Sequence, residues 1–363
     1  MKSPKGQSLL SLALQKFKKR FWGVFCLGYI IFCAIIALLA YVISPDKSTN
    51  ANQMNLSIHS KSPGFETLVL EIPQEDNEES SWQSWFTGQK QTNNIIPIQD
   101  YQILENHIEV TPFDSTAPKE TIALNKFENP SQIKDNYIYT KTFWLGTDRY
   151  GRDMLSRLLI GTRISLSIGF VAVFISLVIG ITIGAIGGYF GGAIDQFVMW
   201  LINVTWSIPT LLLVIALTLA LGKGFWQVFI AVGLTMWVEV ARVVRGQVKS
   251  VKQMPYITAA HALGYSNFRI ISKHILPNIM APVIVISAAN FAAAILIESG
   301  LSFLGIGAQP PIPTWGNMIK EHYNYIVLGK AHLAIIPGLA IMSLVMAFML
   351  VGNTLRDAFD VKS

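Results

Sequence analysis

The chain has 363 residues, 52% of them hydrophobic and only 14% charged. That composition, with a mean hydropathy of +0.43, excludes an ordinary soluble domain and points to a polytopic membrane protein. The net charge of +6 falls in segments between apolar stretches, where it sets topology, and no basic stretch is patterned for nucleic acid.

A hydrocarbon core about 30 Å thick needs about 20 consecutive apolar residues. Six stretches qualify: 22–43, 164–186, 197–221, 225–244, 279–296 and 333–352. Backbone in lipid must satisfy its own hydrogen bonds, so all six are predicted helices of an all-α integral membrane protein. The N-terminal segment 1–21 holds Lys2, Lys5, Lys16, Lys18, Lys19 and Arg20 without an acid, which marks it as cytoplasmic. The 22–43 stretch is too long for a signal-peptide core and lacks a cleavage site, so it reads as a retained anchor. Its Cys26 and Cys33 read as packing residues.

Segment 44–163 then lies outside, with 16 acids against 11 bases. Within it, 67–72, 95–104 and 107–113 read as strands between turns, with an acidic loop over 75–81. Either a small β-rich domain over 55–125 or a partly disordered loop fits this pattern. In the second span Ala172, Ser176, Gly180, Gly184 and Gly188 recur every four residues, a stripe that lets a neighbouring helix approach closely or lines a path. The third span holds Asn203, Thr205, Ser207, Pro209 and Thr210. Pro209 predicts a kink, with the hydroxyls re-satisfying freed carbonyls. These residues either line a gated pathway or pack. Glu239 stands three residues before Arg242, which predicts a local ion pair near the inner end of the fourth span.

Residues 246–278 form the most specific feature. Pro255 suits the first turn of a helix, Gly264 suits its left-handed close, and Ser266 suits the cap of a second helix. Phe268, Ile271 and Ile275 are predicted to share that helix's apolar face, with Arg269 and Lys273 on a basic edge. The hairpin is predicted to be cytoplasmic, as is the tail 353–363. By physics alone it is either a docking element or an amphipathic helix resting on lipid.

Ala259-Ala260, Gly264 and Leu276-Pro277 resemble the EAA loop of ABC importer permeases, with Thr258 in place of the usual glutamate. Leu145-Gly-Thr-Asp-Arg-Tyr-Gly-Arg-Asp-Met-Leu-Ser-Arg157, Gly161–Ser165, Gly188–Gly192 with Asp195, Ala241–Gly246, Leu301–Gly305, Gln309–Asn317 and Leu355–Asp360 are similar to dipeptide/oligopeptide/nickel-type permeases, in their C-type subunit. The resemblance covers about 143–360 and not the external insertion. It implies a five-helix type I importer core, 164–352, added to the N-terminal anchor. It implies half of a transmembrane pathway for peptides in a bacterial inner membrane, with both termini cytoplasmic. The implied partners are a second permease subunit, two cytoplasmic ABC ATPase subunits and a periplasmic or lipoprotein solute-binding protein. Ala259, Ala260, Gly264 and Pro277 are implied to couple to the ATPases. Trp315, Gly316 and Asn317 are read as an outer loop contact or gate, or as a simple proline-rich turn, and Asp148, Arg152, Asp153 and Arg157 as an interfacial brace rather than a substrate contact.

Nickel complexes, oligosaccharides and antimicrobial peptides are alternative solutes. A secondary transporter would show mid-span acids and inverted repeats, whereas Glu239 and Glu298 read as lying toward span ends. A sensor whose external domain does the work is a further alternative. No G-x-x-x-x-G-K-[ST] phosphate loop occurs, and Gly222-Lys223-Gly224 lacks its spacing. The six histidines have no metal-ligand spacing, so the sequence predicts no catalytic residue, cofactor or metal.

Overall fold

The computed structural model describes residues 9–73, 82–89, 93–114, 117–127, 132–222 and 224–359. The expected acidic loop at 75–81 lies outside these residues, as do Lys2, Lys5, Lys223 and Asp360. In chain order the helices and strands are α1 (Leu9–Lys18), α2 (Phe21–Ile43), β1 (Phe65–Ile72), α3 (Ser84–Thr87), β2 (Asn94–Ile103), β3 (His107–Pro112), β4 (Glu120–Ala123), α4 (Ile133–Asn136), β5 (Ile138–Phe143) and α5 (Met154–Phe190). They continue with α6 (Gly192–Trp206), α7 (Thr210–Leu221), α8 (Phe225–Val251), α9 (Pro255–Ala262), α10 (Asn267–Arg269), α11 (Met280–Leu304), α12 (Trp315–His322) and α13 (His332–Phe359). They group into two compact units. One is Met1–Phe32, Leu166–Gly307 and Ile341–Ser363; the other is Cys33–Ser165 and Ala308–Ala340.

In the first unit, the small-residue stripe of α5 packs on α8. Ala172, Ser176, Gly180, Gly184 and Gly188 are all buried. A Cβ on Gly180 would meet Val240 at 2.5 Å and Trp237 O at 2.8 Å; on Gly188 it would meet Arg245 O at 2.7 Å. Residue numbers rise together along this contact, so the two helices run parallel. The chain between them must therefore return across the same thickness, which α6 and α7 accomplish as one broken crossing bent by 89°. The third predicted span is thus two helices meeting at 207–209. Pro209 cannot donate the amide bond that would continue α6, Thr205 Oγ1 donates to Leu201 O at 2.9 Å, and Ser207 Oγ donates to Val204 O at 2.7 Å.

Several helices outrun their predicted spans. α5 has 37 residues, about 55 Å at 1.5 Å per residue, against about 30 Å of hydrocarbon. α8 runs on to Val251 and α11 to Leu304, which places Glu239 and Glu298 inside helices rather than near their ends. Glu298 is buried, and its carboxylate accepts from Ser302 Oγ at 2.6 Å. α13 continues through most of the expected tail, to Phe359. Cys26 packs in a cluster with Ala13, Phe17, Ala347, Val351 and Ala358.

Close approach at Gly184 gives a test of the α5–α8 contact. A Cβ there would lie 2.5 Å from Ala241 O and 3.1 Å from Ala241 Cα, and backbone cannot yield as a side chain would. Gly184→Val is expected to cost at least about 1–3 kcal/mol, read as a lowered unfolding temperature in detergent. Gly300→Ala, inside α11 with open space around it, should not lower that temperature, since alanine is the better helix former.

In the second unit, five strands form an antiparallel sheet in the order β4-β3-β2-β1-β5. β1, β2 and β3 fall on the three predicted strands, and β5 joins from beyond the expected 55–125 interval. Its pairing, Phe65↔Phe143 through Leu70↔Ile138, is nonlocal and left no turn signal nearby. One face carries the core of Leu70, Ile98, Ile108, Val110 and Ile122, closed by Phe127, Ile133 and Ile138. The alternating burial of β3 is the period-two pattern that fixes register.

Candidate functional site

The α9 hairpin is built by its capping residues. Pro255 occupies the first turn of α9, where no amide donor is needed. At the other end Gly264 takes φ +76°. Its amide donates to His261 O at 2.9 Å, and that of Tyr265 donates to Ala260 O at 3.1 Å, the paired bonds that close a helix over a left-handed glycine. Ser266 Oγ accepts from the Arg269 amide at 3.4 Å, capping the next helix. That helix widens into a π turn over Ile270–Ile275, followed by a 3₁₀ turn over Leu276–Ile279. Pro277 has no amide hydrogen to offer Lys273 O, and the π turn lies immediately before it.

The hairpin's inner face is Ile257, Ala260, Ile270, Ile275 and Ile279, packed on Val244 and Val248 of α8. Two expectations change here. Phe268, expected on the apolar inner face, is 81% exposed, because the residues facing inward are Ile270 and Ile275. Ala260 is only 4% exposed and supports the hairpin from within, whereas Ala259, Gly264 and Pro277 are exposed. The outer face also presents Tyr256 and Leu263, the latter 71% exposed.

Tyr189, the penultimate residue of α5, binds this hairpin at three points. Its hydroxyl donates to Asn267 Oδ1 at 2.8 Å and lies 3.2 Å from His261 Nε2, and its carbonyl accepts from Lys252 Nζ. Its ring stacks on His261 with centroids 6.1 Å apart. These contacts tie the hairpin to the end of a long apolar helix. Nothing in the local pattern of Gly188–Gly192 signals this task for Tyr189, because its partners lie more than sixty residues away in the chain. Beside it, Asp195 of α6 accepts from two guanidinium nitrogens of Arg245 of α8, Nε and Nη2, and faces Lys249 at 3.6 Å.

The expected Glu239–Arg242 pair does not form. Arg242 lies over the Trp206 ring at 3.6 Å and reaches Asn203 Oδ1 at 3.4 Å. Two helical residues three apart pair only if neither finds a better partner, and the aromatic face supplies one. Glu239 is exposed and lines a cavity of about 190 Å³ with Thr205, Trp206, Thr210, Thr235 and Ile297. Asn203, Ser207 and Pro209 are exposed but outside that lining.

In the second unit, Asp148, Arg152, Asp153 and Arg157 are buried, not spread along a lipid interface. Asp148 accepts from Arg152 Nε at 2.6 Å and faces Arg157 at 3.6 Å, while Arg152 Nη2 donates to Glu321 at 2.8 Å. Two guanidinium groups thus face two carboxylates. Trp315, Gly316 and Asn317 are buried too, which corrects their reading as an outer contact. Trp315 Nε1 donates to Leu158 O at 3.1 Å, and Asn317 Nδ2 donates to Ala308 O. Their polar atoms are spent internally, so they hold the loop in place.

Asp148, Glu321 and His322 bring potential metal-ligand atoms within 4.8 Å of one another. Their chemistry does not fit a cation. Both carboxylates bind arginine, His322 Nδ1 lies 2.7 Å from Met318 O, and His322 Nε2 accepts from the Arg149 amide at 3.3 Å. That arrangement needs a neutral imidazole, and burial holds the His322 pKa below its usual value, outweighing Asp148 and Glu321. A depressed histidine pKa means the unfolded state takes up the proton first. This stabilisation is present above about pH 6.5 and is lost as pH falls below it. Thermal unfolding between pH 8 and 5 should show that loss, and His322→Gln should flatten the slope.

The comparisons accord with this architecture. Residues 180–362 match the family model described as binding-protein-dependent transport system inner membrane component. The chain is 41% identical to the glutathione transport system permease protein GsiD of Pectobacterium atrosepticum, over 60% of this chain and 72% of that one. It is 36% identical to the dipeptide transport system permease protein DppC of Alkalihalophilus pseudofirmus, over 78% and 90% respectively. Among solved structures, the MetNI methionine ABC transporter in inward-facing conformations is similar with a TM-score of 0.46 at 19% identity, over 56% of this chain and 97% of that one. With five long apolar helices and one broken crossing, the chain belongs to the binding-protein-dependent inner membrane components and is a multi-pass permease subunit of an ABC importer.

Proposed function

We propose that this permease forms half of a pathway for di- and oligopeptides, with a second, different permease subunit as the other half. Two cytoplasmic ATPase subunits dock on the α9 hairpin, and a solute-binding protein delivers the peptide from outside. Both termini and the hairpin lie in the cytoplasm, as their lysines and arginines favour. The chain then runs as a 22–43 anchor, an external segment 44–163 and a permease core 164–352 with its coupling loop at 246–278. The observation that carries this reading is the hairpin itself. It is capped at both turns, bound to α5 through Tyr189, and leaves Tyr256, Leu263 and Phe268 exposed. Exposed apolar side chains on a rigid cytoplasmic element fit a protein partner's groove. Movement of the ATPases would then shift α5 and α8, and each access state must be favoured by its own contacts.

The path lining is proposed at Thr205 and Glu239, on the cavity between the α6–α7 elbow and α11, with Asn203, Ser207 and Pro209 beside it. An acid within a membrane helix faces a wet cavity or a functional partner. The test is uptake into proteoliposomes holding the complete importer and its binding protein, with labelled dialanine and glutathione as probes. ATP-dependent accumulation of either supports the reading; binding-protein capture of both with no accumulation overturns it.

A further inference from the structure

The external insertion carries an aromatic turn that the import reading leaves without a task. Trp82, Trp85 and Phe86 are all exposed, and their spacing of three and four residues puts them on one face of the turn that becomes α3. Residues 82–88 include no charged side chain. This turn is pinned where α2 ends. The Gln89 amide donates to Lys47 O at 2.9 Å, and Gln89 O accepts from the Thr49 amide at 3.1 Å. Tyr41 Oη donates to Thr49 O at 2.8 Å, and a Cβ on Gly88 would lie 2.8 Å from the Tyr41 ring. Tyr41 is two residues from the end of α2, a helix of membrane-span length and hydropathy. Leu38, Leu39, Val42 and Ile43 stay exposed along its last turns, so lipid reaches this level.

We propose that Trp82, Trp85 and Phe86 insert into the headgroup layer of the bilayer and hold the insertion's sheet against the membrane surface. Chain length limits the depth. Phe86 and Trp85 are two and three residues from Gly88, within about 7 and 11 Å at full extension, and the polar layer is about 5–8 Å thick on each side. Tryptophan favours this layer because its ring is apolar and its N–H can stay hydrated. Size argues against a protein partner. Three aromatic side chains bury at most about 450–750 Å², less than the roughly 800 Å² per partner of a stable interface.

The test places a nitroxide on W85C, in a background with Cys26→Ala and Cys33→Ala, in the complete importer reconstituted in phosphatidylcholine–phosphatidylglycerol liposomes. I103C, exposed on β2, is the reference, and F86C is a second position in case W85C fails to fold. Collision with oxygen relative to a water-soluble nickel chelate is expected to be severalfold higher at 85 and 86 than at 103. A ratio equal to that at 103 would overturn the proposal, as would shielding from both reagents, which would reveal a protein partner.

Discussion

Replacing Gly264 with aspartate is expected to abolish coupled uptake while leaving the permease folded in the membrane. Gly264 sits at φ +76°, and a Cβ added there would have nothing within 4 Å, so the extra atoms meet no clash inside the hairpin. Aspartate visits the left-handed region more readily than most residues, which keeps the backbone cost small. The damage comes from charge. An unpaired carboxylate on the hairpin's exposed surface must be desolvated when an ATPase docks there. Leaving a charge buried and unpaired at an interface costs about 2–5 kcal/mol, so ATPase co-purification should fall by at least about 30-fold. Gly264→Asn separates the two causes, because asparagine also tolerates the left-handed conformation and brings no charge. It should keep most co-purification and transport. Unchanged co-purification and uptake in Gly264→Asp would remove the hairpin from its proposed task.

Asp148→Ala is expected to produce the largest loss of stability. The carboxylate is fully buried and accepts from the Tyr150 and Arg152 amides at 2.8 and 2.9 Å, besides its two guanidinium neighbours. Without it Arg152 keeps Glu321, but Arg157, itself buried, has no carboxylate left within 4 Å among the described residues. Breaking a buried ion pair by removing one partner costs about 3–5 kcal/mol, which for a chain of 363 residues corresponds to a fall of about 4–7 °C in unfolding temperature. Glu321→Gln should cost less, because Arg152 retains Asp148 and position 321 borders solvent. Equal unfolding temperatures for Asp148→Ala and the parent chain would show that the network does not hold the loop.

Much of this was legible in sequence because it depends on local chemistry. Pro255, Gly264 and Ser266 each act within four residues, so the hairpin's caps were readable before any contact was known. The four-residue stripe from Ala172 to Gly188 announced a close helix neighbour, though not that the neighbour was α8. The candidate site was less legible. Phe268 was misplaced because a helical wheel assumes 3.6 residues per turn, and the π turn after it rotates the following residues onto a different face. Glu239 seemed paired because Arg242 was near in sequence, while Trp206 is near only in space. Trp315 and Asn317 read as an outer contact because the charge pattern puts their loop outside, yet their donors are met by Leu158 and Ala308.

The sequence by itself determined that this chain crosses a membrane and that a capped basic hairpin follows the fourth crossing. Those properties are sums over neighbouring residues, governed by hydration, charge and backbone conformation. Only the tertiary structure decided that the third crossing is broken at 89°, that Asp148, Arg152, Asp153 and Arg157 are buried, and that Tyr189 joins the hairpin to α5. Each of these depends on residues distant in the chain arriving at one place, where burial changes the balance between a solvated charge and a paired one.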